Sequence, residues 1–343
     1  MINVKTCLLS ALLCLSGITV SAESAVEYNN TIVRELISAK AATAAYLDAA
    51  THGRNVPEAN AKLALMVHAL ETARTHLQAI KPYKGYTGLR DSILSYVELG
   101  YTSAAAFSGI LTDEQMSALS YEEMKEYMET SDVLNDRLIA FGSMIRREQK
   151  RFADKNGFEI EKEQNPMQEK FKQVQKVFSY YHQVFLIFFK CNKLENSFVE
   201  GLTTTNPESL EQTRIQYQQA AGEGLKKLES LPPFDSDPTL GTAGKEALQF
   251  FESEAKDKFP LLIAYFQKKE KLDKQAAAIN KLAEKDRTDK MIESYNANIK
   301  AMNEAIGVYN TTNQELNTKR EVVIDRFNKT VVDFLDRNSP KMK

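Results

Sequence analysis

Cysteine is nearly absent: the 343 residues contain three, and Cys7 and Cys14 both fall within the first twenty. That leaves Cys191, so no intramolecular disulfide is expected and packing must supply the stability. Cys191 adjoins the apolar run 184–189 and reads as a buried, inert thiol. Histidine is equally scarce, with His52, His68, His76 and His182. No Cys-x-x-Cys-His attaches haem, and no paired Cys/His spacing holds zinc. A Gly-x-Ser-x-Gly elbow and a phosphate-binding glycine loop are missing too. Lys and Arg (44) do not outnumber Asp and Glu (46), which argues against nucleic acid as a partner. Glycine (14) and proline (9) are few and sit at breaks, and sustained period-two alternation is lacking, so strands are not expected. Beyond the leader, the run 184–189 is too short to span a bilayer.

What is there begins with an export signal. Lys5 gives a positive start, 6–20 is apolar, and Val20-Ser21-Ala22 is a small-residue cleavage site between Ala22 and Glu23. The expected location is the periplasm, the cell surface or the medium. Neither Cys7 (after Thr6) nor Cys14 (after Leu13) has the small preceding residue that bacterial lipidation requires. Loss of the leader removes Lys5 and takes the formal charge from −2 to −3. The remainder is long enough for two domains, and 43% hydrophobic with 26% charged residues is a globular composition.

Apolar spacing and end signals predict helices at about 24–51, 57–80, 88–111 and 112–155. Pro57 sits in the second helix's first turn, Thr112 or Asp113 caps the fourth, and Asn156-Gly157 ends it. A second set follows at about 168–202, 207–231, 242–283 and 288–337. The expected fold is all-α: two tandem helical bundles of about four helices each, with long coiled-coil-like hairpins. The divisions are 1–22 (signal), 23–157 (first bundle), 158–167 (linker with Pro166) and 168–343 (second bundle, elongated).

The second set reads as a diverged internal repeat of the first. Tyr83 falls on Phe234, 151 positions on, and Pro82 on Pro233. Tyr28, Ile32, Tyr46 and Leu47 fall on Tyr180, Val184, Phe198 and Val199 at a shift of 152. Leu94, Tyr96 and Val97 fall on Leu248, Phe250 and Phe251 at 154. The connector 231–238 is a Pro-rich, acidic version of 81–88. The last helix carries a heptad seam of Tyr295, Ile299, Met302, Ile306, Tyr309, Leu316, Val323 and Phe327, interrupted by Asn313 and Arg320. Its match is Leu134, Leu138, Phe141, Ile145 and Phe152. Phe152 falls on Phe327 at a shift of 175, against 154 one helix earlier, a gain of 21 residues or three heptads. Whole heptads lengthen a hairpin by roughly 15 Å without turning its apolar face away from the core.

Lys81-Pro82-Tyr83-Lys84-Gly85, Leu89-Arg90-Asp91, Phe152-Ala153-Asp154-Lys155-Asn156-Gly157-Phe158 and Asn165-Pro166-Met167-Gln168 resemble an uncharacterised family of exported bacterial helical proteins, usually labelled surface protein. The resemblance spans about 28–168. It implies an envelope or secreted location and brings no catalytic residue with it.

Chemistry has few footholds. His68 and Glu71 stand three apart on one helix with His76 two turns beyond His68, the nearest approach to a metal site. A di-metal bundle needs Glu-x-x-His from two helices, whereas here the order is His-x-x-Glu and it occurs once. No metal or cofactor is therefore expected. His182 lies in the aromatic stretch 180–189, read as a thick core helix at the junction of the halves, with an aromatic ligand pocket as the alternative. Glu122, Glu123, Glu126 and Glu129, interspersed with Lys125, read as a solvated face. The expected function is non-enzymatic binding or scaffolding in the cell envelope or at the surface, with an unknown protein or envelope component as partner. The alternative is a ligand- or metal-binding bundle, using the inter-helix space near His68 and Glu71 or the helix around His182. The seam of the last helix also offers self-association.

Overall fold

The computed structural model describes residues 24–53, 56–107, 118–160, 166–204 and 206–342. The fold is an all-α helical bundle, with no strand among the described residues and two isolated β-bridges. Ser24 starts α1 (Ala25–His52), its Oγ accepting from the Glu27 N–H at 3.1 Å. α1 turns Tyr28, Ile32, Leu36 and Ala39 inward at helical spacing. α2 (Val56–Ala79) contributes Leu63, Met66, Leu70, Ala73 and Leu77, and α3 (Gly88–Phe107) Leu89, Ile93 and Val97. The expected continuation of α3 to 111 and the Thr112 or Asp113 cap lie outside the described residues.

α4 (Tyr121–Asn156) has a start that the sequence reading missed. Ser120 and Glu123 form a reciprocal capping box, the side chain of each bonding the backbone N–H of the other. Its end is as expected, with Gly157 in the left-handed region at φ 71°. Phe152 sits among Tyr28, Tyr83, Tyr86 and Phe158, with ring centroids 5.2–5.9 Å away.

α5 (Pro166–Thr204) begins inside the expected linker, of which 161–165 lie outside the described residues. α6 (Pro207–Ser230) is capped by Asn206, whose side chain accepts from the N–H groups of Glu208 and Ser209 at 3.0 Å each. The next expected helix is interrupted: α7 (Thr239–Ser253) passes through a π-helical turn (Glu254–Lys258) into α8 (Phe259–Asn280). Pro260 explains the break. It has no N–H for the carbonyl of residue 256 and its ring crowds that turn, so the Phe259 N–H reaches back five residues to the Glu254 carbonyl. After a short 3-10 turn, α9 (Asp289–Asn338) runs for 50 residues, about 75 Å, with Thr288 as its cap.

In the second half, Phe188 stacks on Phe327 at 3.9 Å and Phe198 on Phe259 at 3.6 Å. Of the expected α9 seam, Met302, Leu316 and Phe327 are buried and Tyr295, Ile299, Tyr309 and Val323 half-buried, and Thr312 and Phe334 are buried beside them. At its outer end Ala305 is buried and Ile306 is exposed, which reverses the expected register there. Gln275 bonds Ser294 and Asn298 across the α8–α9 hairpin.

The two connectors share one turn despite different sequences. Tyr83 bridges Tyr86 across Lys84 (φ 51°) and Gly85 (φ 81°). Phe234 bridges Asp237 across Asp235 (φ 42°) and Ser236 (φ 73°), again 151 positions on. Two consecutive residues at positive φ are the mark of a type I′ turn, for which Gly, Asn and Asp are the usual residues. The second connector adds a clamp: Arg337 and Asn338 donate to Asp237 at 3.0 and 2.9 Å.

α4 and α5 lie against each other as an antiparallel pair. Met124 and Met128 pack on Phe189 beside Phe185 and Leu186, and Asp132, Asp136 and Arg146 pair with His182, Gln175 and Gln168. The chain's last turn docks on α1, where His52 Nδ1 meets Asp336 at 2.7 Å and the Met342 N–H donates to Asp48 at 2.9 Å.

A candidate ligand cavity between five helices

Facing α5, the first four helices do not close. A cavity of about 270 Å³ opens between α1 to α5. Leu47 (α1), Leu63, Met66 and Leu70 (α2), Ala104 (α3), Leu134 and Leu138 (α4), and Phe171, Val174 and Phe178 (α5) form the apolar part of its walls, and Tyr127 and Asn135 (α4) with Gln168 and Gln175 (α5) add polar side chains. Leu134 and Leu138 are the expected seam positions of α4; they stay half-buried because they face this space instead of a packed partner. Lys40 is the one lining residue with a fixed charge, and no carboxylate or arginine lines the walls among the described residues.

The corresponding region of the second half is filled. Carried along the sequence shifts, Thr43, Met66, Gly100 and Ile145 match Glu195, Tyr217, Glu254 and Arg320. Thr43, Met66 and Gly100 line the cavity. Their counterparts form a buried cluster. Arg320 bonds Glu195 through Nε and Glu254 through Nη2, the latter at 2.6 Å, and the Tyr217 hydroxyl donates to Glu254 Oε2 at 2.8 Å. Glu195 is 0% and Glu254 1% exposed, and Glu195 Oε2 has no hydrogen-bond partner among the described residues. Burial, and then the charge of Glu195, push the Glu254 carboxyl up to about 8. Glu254 sits on the π-helical turn, so the break at Pro260 helps set its position. Cys191, one turn before Glu195, is buried as expected, and burial pushes its thiol up to about 12.

Several polar groups on the cavity wall are already satisfied. Thr43 and Ser103 donate back to the carbonyls of Ala39 and Leu99 at 2.9 and 2.7 Å. His182 Nδ1 is 3.0 Å from Asp132, whose other oxygen accepts from Ser179 at 3.4 Å. Tyr96 and Ser131 make no hydrogen bond to a described residue, and neither does the Tyr46 hydroxyl, which feels only the nearby Tyr127. Burial pushes the Tyr46 and Tyr96 hydroxyls up to about 12, although both side chains remain partly accessible. Walls packed with protein atoms but open to a water-sized space account for both facts.

His68 and Glu71 are exposed on α2 and meet no further ligand; His76 instead pairs with Glu35 at 3.2 Å. No group of three metal-ligating side chains occurs among the described residues. Ala22 and Glu23 lie outside them. Among those described, no helix is long and apolar enough to cross a membrane. His182 is the one sequence candidate on the cavity wall. Sequence reasoning missed Tyr46, Tyr96 and the Glu195–Arg320–Glu254 cluster, although a charge interrupting the seam at Arg320 was a usable signal. No family model, curated protein or solved structure matches the chain.

Proposed function

We propose that this is an exported, non-enzymatic binding protein whose cavity between α1 and α5 receives a small apolar molecule. The carrying observation is the 270 Å³ space, lined by leucine, methionine, phenylalanine and valine side chains with polar ones among them, at positions where the other half of the chain is filled. Binding sites for small molecules are concave and largely apolar with placed polar groups, and this space lies at the lower edge of their usual volumes of about 300–1,000 Å³. Export rests on Lys5, the apolar stretch 6–20 and the Ala22–Glu23 site, and envelope placement on the surface-protein resemblance of 28–168. The long α8–α9 hairpin then serves as the surface offered to a protein or envelope partner.

Gly142 provides the test. It lies on α4 at the cavity wall, and a Cβ there would meet only the Gln168 side-chain amide, at 3.6 Å. Gly142→Leu fills the space while improving helix propensity by up to about 1 kcal/mol. Naphthalene binding, followed by calorimetry or ligand-observed NMR, is expected for the natural protein and lost in Gly142→Leu. No binding, or equal binding by both, rejects the cavity as a ligand site.

A further inference from the structure

We infer that the cavity selects a neutral, flat molecule of about eleven non-hydrogen atoms carrying an accepting oxygen of the ketone or quinone kind, held by the hydroxyls of Tyr46 and Tyr96, an inference that rests on the binding role proposed above. Size comes first. An engineered apolar cavity of about 150 Å³ takes benzene, so 270 Å³ scales to a fused two-ring skeleton. Charge comes second. A buried ion needs a counter-charge or several hydrogen bonds. The walls hold no carboxylate or arginine among the described residues, and Lys40 is already engaged.

The hydroxyls supply the third argument. A polar group on an apolar wall is costly unless it is bonded. Tyr46 and Tyr96 bond no described residue and stay partly accessible, so a ligand oxygen takes the place of water on hydroxyls that are protonated donors at neutral pH. Their counterparts in the second half are Phe198 and Phe250, and there Phe198 stacks on Phe259 at 3.6 Å with no cavity between them. Phenylalanine therefore suits the filled version of this architecture, and the two extra oxygens belong to residues that line the cavity.

The experiment compares 1-tetralone with tetralin, the same skeleton without the carbonyl, on the natural protein and on Tyr46→Phe and Tyr96→Phe. These replacements keep the ring, so folding is preserved. Each is expected to weaken 1-tetralone by about three- to tenfold, the worth of one hydrogen bond, and to leave tetralin unchanged. 1-Naphthoate, the anionic arm, is expected to bind more weakly than 1-tetralone. Equal effects of the substitutions on both ligands, or tighter binding of 1-naphthoate, overturn the selectivity and leave the cavity reading standing. Failure of tetralin and 1-tetralone alike overturns both.

Discussion

Replacing Arg320 by methionine takes the guanidinium away from two carboxylates that have no side-chain exposure to solvent. Removing one partner of a buried ion pair costs about 3–5 kcal/mol, because the remaining charge is left without compensation. Here the cost depends on pH. Burial, and then the neighbouring Glu195, raise the Glu254 carboxyl from 4.5 to about 8, so between those values the natural cluster holds a proton that the unfolded chain has released. Stability of the natural protein should therefore fall as pH rises from 4.5 to 8, by at most about 1.4 kcal/mol per pH unit, and Glu254→Gln should flatten that fall. In Arg320→Met both carboxyls need protons. Urea unfolding followed by circular dichroism should show the full loss at pH 8 and a smaller one at pH 5, where protonation is cheap. Replacing Glu195, Glu254 and Arg320 together by Leu, Met and Met should restore stability, since apolar residues of similar volume usually equal or exceed a buried ion cluster. A loss under about 1 kcal/mol for Arg320→Met at pH 8, the size of an exposed pair, would refute the account.

Ser120→Ala removes half of the capping box on α4 and should cost about 1 kcal/mol, read as faster hydrogen exchange at residues 123–128 with the α9 amides unaffected. Ser236→Gly relieves a non-glycine residue at φ 73° in the second connector. It should stabilise by up to about 1 kcal/mol, and a lower thermal midpoint would show that Ser236 holds that turn by contacts absent from this structure.

Local features were the legible ones. Ser24, Pro57, Asn156-Gly157 and Thr288 mark helix ends through their own backbone and side-chain chemistry, and α1, α2, α6 and α9 begin and end within two residues of expectation. The same logic applied at Ser120 and Pro260 and was overlooked: a Ser-x-x-Glu box precedes α4, and a proline inside a helical pattern should have signalled a break. The connectors show the opposite case. Pro-Phe-Asp-Ser looks unlike Pro-Tyr-Lys-Gly, yet both make the same turn, because Asp tolerates positive φ and the clamp from Arg337 and Asn338 holds the rest. Arg320 was visible as a flaw in a seam, but nothing along the chain says that Glu195 and Glu254, 125 and 66 residues away, supply its partners.

By itself, then, the sequence determined that the protein is helical, where most of its helices start and stop, and which face of most of them turns inward. These follow from interactions among residues a few positions apart. The start at Ser120, the break before Pro260 and the register at Ala305 escaped it. Whether the inward faces meet was decided only by the tertiary structure. Thr43, Gly100, Leu134 and Leu138 are ordinary inward residues on three helices, and their combined volume falls short of the space between them only once α5 is in place. At the positions matching Thr43 and Gly100, Glu195 and Glu254 are large and acidic, and both are tolerated because Arg320, at the position matching the buried Ile145, reaches them. Filling is a property of five helices at once, and no single stretch of chain encodes it.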